Sequence, residues 1–321
     1  MALLSDLDLE SLIETAPDVV MKADGQLTPY DRLIYFWAAR EFYRGHGTIV
    51  DAGALVGGTT CIFAEGLRLN PAFTGGAAPI HVYDLFEDSA AGYSAQLLKG
   101  WYDDHADTSE PYDFEKHFRR NTAPYAELIQ VHKGDIAQQA YDDARGIEVL
   151  SIDVAKSADL MLSVARTFFP RLIPGRSIIL HQDYVFPYQP WLHIAMELMS
   201  DLLDKVYDPP NHCTSVFVAR RPITVADVEA RLGQSGADYY HLGNVGALHE
   251  AIARARPGYG KFIHTAALAY FHLVMGQKKT ASMIAIRMMD EFGATRTMLR
   301  SAALAAFLEN DLGIDIESLC G

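Results

Sequence analysis

From residue 48 onward, short β-branched and aliphatic runs alternate with stretches of helical periodicity. No other feature of the chain constrains its fold as strongly. The runs are TIVDAGA at 48–54, PIHVYDLF at 79–86, ELIQVHKG at 127–134, IEVLSIDV at 147–154 and SIILHQDY at 177–184. Several are apolar at consecutive positions, as strands covered on both faces tend to be. Between them lie the helical patterns TTCIFAEGLRLN and SADLMLSVARTFFPRLI, the second stopping at the breaker pair Pro174–Gly175. This alternation predicts an α/β fold built on a doubly wound, mostly parallel sheet.

The flanks differ. TPYDRLIYFWAAREFYR at 28–44 reads as a helix with Thr28 as N-cap and Pro29 at its first position. PWLHIAMELMSDLLDKV at 190–206 reads as another, with Pro190 near its start. No long helix separates DKVYD from TSVFVARR, which favours an antiparallel terminal hairpin. After about residue 223 only helical patterns remain: VADVEARL, VGALHEAIARA, FIHTAALAYFHLVMG and TASMIAIRMMDEFG. The expected organisation is an N-terminal helical segment (1–47), a sheet domain (48–222) and an α-helical C-terminal extension (223–321). The apolar stripes of the extension serve either internal packing or a homodimer interface.

A chain of 321 residues, half of them hydrophobic, has ample material for a large core. Its net charge of −14 repels phosphate backbones, so nucleic acid is not an expected partner. Cys61, Cys213 and Cys320 are odd in number and far apart, which fits a reducing cytoplasm and suggests neither a disulfide framework nor a zinc site. The acidic start lacks a signal-peptide pattern, and no apolar run is long enough for a bilayer, so no membrane association is expected.

The ligand signal lies between the first strand and its helix. There the chain reads Asp51-Ala-Gly53-Ala-Leu-Val-Gly57-Gly58, a DxGxxxG pattern. Position 55 is not the glycine of a dinucleotide GxGxxG, and no GK[ST] of a P-loop follows. Glycine at such a turn also has a purely steric use. The other strand tips carry acids too: Asp84 after the second, Asp135 after the third, Asp153 after the fourth and Asp183 after the fifth.

Together these features resemble class I S-adenosylmethionine-dependent methyltransferases over roughly residues 28–222. The stretch LSIDVAKSADLMLSVARTFFPRLIPGRSIILHQDY resembles in particular the macrocin O-methyltransferase-like small-molecule enzymes. The resemblance implies a Rossmann-like sheet and a cofactor site drawn from Asp51, Gly53, Gly57, Thr59, Asp84 and Asp135. Asp84 would meet the ribose hydroxyls and Asp135 the adenine amino group. It also raises Mg²⁺, held by Asp153 and Asp183. Yet the family's second acid after the fourth strand is missing here, Lys156 stands nearby, and the fifth strand ends His181-Gln182-Asp183-Tyr184 rather than Asp-Asp-Tyr.

For catalysis the candidates are His181 as base, Asp153 to orient it, Asp183 to bind substrate and Lys156 to stabilise an oxyanion. Residues 88–120 form a long insertion, read either as a lid or as a surface excursion with one helix. In the lid reading Trp101, Tyr102 and His105 line an acceptor pocket, with His105 a second base. Tyr184, Tyr188 and Trp191 offer further stacking surface or local core. The expected function is O-methylation of a small-molecule hydroxyl, of a sugar or natural product. The alternatives are a non-catalytic binding module and a nicotinamide-dependent oxidoreductase.

Overall fold

The computed structural model describes residues 9–208, 213–292 and 307–313. Its strands are β1 (Thr48–Ala52), β2 (Ile80–Asp84), β3 (Glu87–Asp88), β4 (Tyr112–Asp113), β5 (Ile129–Lys133), β6 (Ile147–Ile152), β7 (Ile178–His181), β8 (Leu203–Tyr207) and β9 (Ser215–Ala219). Helices α1 to α7 are Leu9–Ile13, Asp18–Met21, Pro29–Trp37, Gly58–Arg68, Tyr93–Tyr102, Glu115–Thr122 and Ala158–Phe168. Helices α8 to α13 are Pro190–Leu198, Val225–Leu232, Gly236–Tyr239, Val245–Arg254, Tyr259–Val274 and Lys278–Phe292.

Seven strands form one sheet in the order β5-β2-β1-β6-β7-β9-β8, with an antiparallel edge hairpin. The pairs β1–β2, β1–β6 and β2–β5 are parallel. The centre of the sheet lies at β1 and β6, which are buried along their whole length. That burial is why both read as near-continuous apolar runs. The order reverses at β1, so β2 and β6 flank its C-terminal end, and a ligand crevice opens at such a point.

The described chain divides into two compact units. The first comprises Met1–Val154, Ser163–Leu180 and Val218–Ile223; the second comprises Ala155–Leu162, His181–Phe217 and Thr224–Gly321. In the first, α3 starts as its sequence predicts. Asp31 N–H donates to Thr28 Oγ1 and Thr28 N–H to Asp31 Oδ2, both at 3.2 Å, with Pro29 at the first helical position. The expected single helix over 28–44 instead passes into a π turn at Ala38–Phe42. The entry to β1 is fixed by the buried Glu148 carboxylate, which accepts from the backbone N–H groups of Arg44 (2.7 Å), His46 (2.7 Å) and Gly47 (3.2 Å). Against α4, the Tyr35 and Phe63 rings meet edge to face at 5.4 Å.

The insertion after β2 holds two helices, α5 and α6, and the small β3–β4 ladder, more structure than the one helix expected. In the second unit α8 ends at Leu198, short of the predicted 206. The N–H groups of Leu202 and Leu203 both turn back to Met199 O, and the chain then extends into β8. Helices α9, α11, α12 and α13 follow the four predicted patterns. Their packing absorbs the aromatics after β7: Tyr188 meets Tyr270 edge to face at 5.1 Å, and Trp191 meets Tyr240 at 5.9 Å. Cys320 lies outside the described residues.

Candidate cofactor site and acceptor-side residues

The turn from β1 to α4 is tightly determined. Gly53 (φ 98°) and Gly57 (φ 90°) adopt left-handed backbone that side chains disfavour. Their surroundings are filled as well. A Cβ on Gly53 would come within 2.8 Å of the Asp153 carbonyl carbon, and one on Gly57 within 2.6 Å of Thr122 Cγ2. A Cβ on Gly58 would overlap Asp24 O. The small residues therefore admit other parts of the protein: the tip of β6, helix α6 and the 22–26 segment. Leu55 is left-handed too (φ 50°), an arrangement that costs roughly 1–2 kcal/mol for a side-chain-bearing residue. Asp84 holds it there. Its Oδ2 accepts the Leu55 N–H at 2.8 Å, and its Oδ1 accepts the Phe86 N–H at 2.7 Å, with Phe86 at φ 57°.

Asp51 is wholly buried. Its Oδ2 accepts from Thr60 Oγ1 at 2.6 Å, and the Ser151 hydroxyl stands across the β1–β6 ladder from it. Burial pushes its pKa up to about 7; the charges of Asp153 and Asp84 add to this, and hydrogen bonds from Thr60 and Ser151 oppose it. Asp84 is also raised, chiefly by burial, against four backbone N–H groups that lower it. Asp51, Asp84 and Asp153 thus form one zone of negative potential at the ends of β1, β2 and β6. Thr59 is buried in the first turn of α4. Asp135 stands at the end of β5 but is exposed and turned to local work, capping the 136–138 turn through the Ala137 N–H at 2.9 Å.

In the second unit, Lys156 Nζ lies 2.5 Å from Asp183 Oδ2, which also accepts from Gln189 Nε2 at 3.0 Å. Asp183 is left-handed at φ 59°. His181 is fully buried. Because the Gln182 carbonyl can only accept, Nδ1 carries the proton of their 3.1 Å hydrogen bond, leaving the Nε2 lone pair without a partner. Burial lowers its pKa to about 4, so the ring is neutral and a weaker base than a solvated imidazole. Tyr184 is buried, with its ring facing His193 at 4.9 Å and His264 at 5.4 Å.

No set of three or more His, Cys, Asp or Glu side chains is grouped to hold a metal among the described residues. Asp183 instead has an ammonium as its counter-charge. The donor set does not support the Mg²⁺ expectation.

Within the insertion His105 is exposed, whereas Trp101 and Tyr102 line a cavity of about 380 Å³ with Ala23, Asp24, Gly25 and Arg32. The aromatic residues were legible as pocket candidates. Arg32 was not, because an arginine inside an amphipathic helix carries no mark of the carbonyls that bury it.

Strand order, the glycine turn and the acid-tipped rim define a doubly wound, Rossmann-like α/β fold. No family model matches the chain, and no curated protein matches it significantly. Among solved structures it is similar to the O-methyltransferase NovP, at 16% identity over 68% of this chain and 97% of that one, with a TM-score of 0.43. It is also similar to the pyocyanin biosynthetic protein PhzM, at 13% identity over 67% of this chain and 62% of that one, with a TM-score of 0.36.

Proposed function

We propose that the chain is an S-adenosylmethionine-dependent methyltransferase acting on a hydroxyl of a small molecule, a sugar or natural product. The observation that carries this is the triad of carboxylates Asp51, Asp84 and Asp153 around the glycine turn. Their field suits a ligand with a sulfonium and an ammonium and opposes the pyrophosphate of a nicotinamide dinucleotide.

The residues fit such a cofactor through the carboxylates at the turn. Asp51 is buried at the end of β1, with the Thr60 and Ser151 hydroxyls beside its carboxylate. Asp84, whose carboxylate accepts the Leu55 and Phe86 N–H groups, stands at the tip of β2, where a ribose diol would lie. When bound, the cofactor supplies an electrophilic methyl group. Gly53, Gly57 and Thr59 shape the turn beside it, and Asp135 marks the adenine end. For the acceptor we assign Lys156 and Asp183, paired through Nζ and Oδ2, to polarising and orienting the hydroxyl, and His181, whose Nε2 has no partner, to taking its proton. The reaction needs no Mg²⁺ in this reading. The remaining parts of the proposal are a cytoplasmic setting, in keeping with cysteines that are few, odd in number and far apart, and a homodimer through α13, where Met283 and Ile286 are exposed.

Calorimetric titration with S-adenosylhomocysteine, with and without Mg²⁺, tests the core of this. Micromolar binding that is insensitive to Mg²⁺, with no NAD binding, is expected. A folded protein that ignores S-adenosylhomocysteine would sink the proposal. A second reading, a cofactor-binding module without turnover, draws on the mutual engagement of Lys156 and Asp183 and the burial of His181. Binding without methyl transfer across a broad hydroxyl panel would favour it.

A further inference from the structure

The cavity lined by Ala23, Asp24, Gly25, Arg32, Trp101 and Tyr102 is not absorbed by the cofactor site, since Asp51, Gly53 and Asp84 do not line it. Its one cationic wall residue is unusual. Arg32 is 9% exposed, and its guanidinium is held by the carbonyls of Ala23 (2.5 Å), Val20 (3.4 Å) and Gly25 (3.5 Å). Carbonyl contacts orient a guanidinium but neutralise none of its charge; the carboxylates of Asp24, in the same wall, and Asp31 offset part of it. The carbonyls also occupy only part of its fork of five donors. Burial accordingly weighs against its charged form.

The aromatic walls complement that charge. Tyr102 is rigid: its ring stacks on His117 at 4.0 Å, Arg120 lies 4.7 Å from its centroid, and its hydroxyl donates to Asp24 Oδ2 at 2.9 Å. Asn121 Nδ2, 2.9 Å from that hydroxyl, also reaches Val56 O on the glycine turn. Trp101 is 42% exposed, an indole left open beside the cavity. A buried, preoriented guanidinium next to flat apolar faces is a receptor for a planar organic anion.

We propose that this cavity binds a hydroxyaromatic carboxylate, its carboxylate on Arg32 and its ring against Trp101. Its use as a methyl acceptor rests on the methyltransferase reading; the anion site itself does not. The test is fluorescence titration of the full chain with 6-hydroxy-2-naphthoate, with 6-hydroxy-2-naphthamide as the uncharged control.

The carboxylate should bind at least about tenfold more tightly than the amide, since a charge-assisted pair is at stake. Arg32→Lys, which keeps charge but not the fork, should lose most of that difference. Trp101→Ala, at an exposed position, should weaken both ligands several-fold without affecting folding. Equal affinity for the two ligands, or unchanged binding in Trp101→Ala, overturns the site even where Arg32→Lys fails to fold. Saturation with S-adenosylhomocysteine separates the two layers. Unchanged or tighter naphthoate binding supports an acceptor subsite, and displacement overturns it by assigning the cavity to the cofactor. Naphthoate binding by a protein that ignores S-adenosylhomocysteine would leave the anion site standing and remove the methyltransferase reading.

Discussion

Replacing Asp51 by Asn should stabilise the protein while weakening its ligand site. The Asp51 carboxyl is held at about 7 against an ordinary 3.8, chiefly by burial. A raised acid pKa means the folded state binds the proton more tightly than the unfolded state. Stability from this group is therefore fully present below pH 3.8 and is lost as pH rises toward 7. The full penalty is roughly 4 kcal/mol at pH 8, from about three units at 1.36 kcal/mol each. At pH 5 less than half of it has developed. Asparagine carries no such titration, and its carbonyl can still accept from Thr60. Its amide stands across the β1–β6 ladder from the Ser151 hydroxyl, which can still pair with it. Any residual packing cost is the same at both pH values, so the cleaner quantity is the difference. The advantage of Asp51→Asn over wild type should grow by roughly 2–3 kcal/mol between pH 5 and pH 8. Urea denaturation at the two pH values reads it directly, and S-adenosylhomocysteine affinity should fall in the same variant. A pH-independent difference, or a variant that is less stable at pH 8 than at pH 5 relative to wild type, would refute the buried-charge reasoning.

Three further outcomes are expected. His264, held at about 4 by burial, is neutral in the fold, so its contribution is intact above pH 6.5 and lost as pH falls toward 4; His264→Gln should flatten the acid limb of a plot of Tm against pH. Thr28→Ala removes one partner of the capping box on α3 and should cost about 1 kcal/mol in chemical denaturation, with cofactor affinity unchanged. Gly58→Ala places a methyl on Asp24 O and should cost about 1–3 kcal/mol while making the 22–26 segment more sensitive to limited proteolysis; an unchanged cleavage pattern would mean that the segment does not rest on the turn.

The order of strands and helices was legible in the sequence because a strand buried on both faces is mostly apolar, as β1 and β6 are apart from Thr48, Asp51, Glu148 and Ser151. The capping box at Thr28 and the acids at the strand tips were legible for the same kind of reason: each depends on residues a few positions apart. What those residues do depends on distant partners. Asp84 uses its carboxylate to hold Leu55 and Phe86 in left-handed backbone, and Asp135 caps its own turn instead. His181 reads as an available base, and full burial makes it a weaker one than a solvated imidazole. Nothing in the sequence marks Arg32 or Glu148, and only folding shows one gripped by the carbonyls of residues 20–25 and the other by the N–H groups of residues 44–47. The sequence by itself determined the layers, their order and the place of the acidic rim, since hydrophobic period and turn chemistry are local. Tertiary structure alone decided which charges are buried, and therefore which protonation states and ligands the site prefers, because desolvation is set by everything that packs around a group.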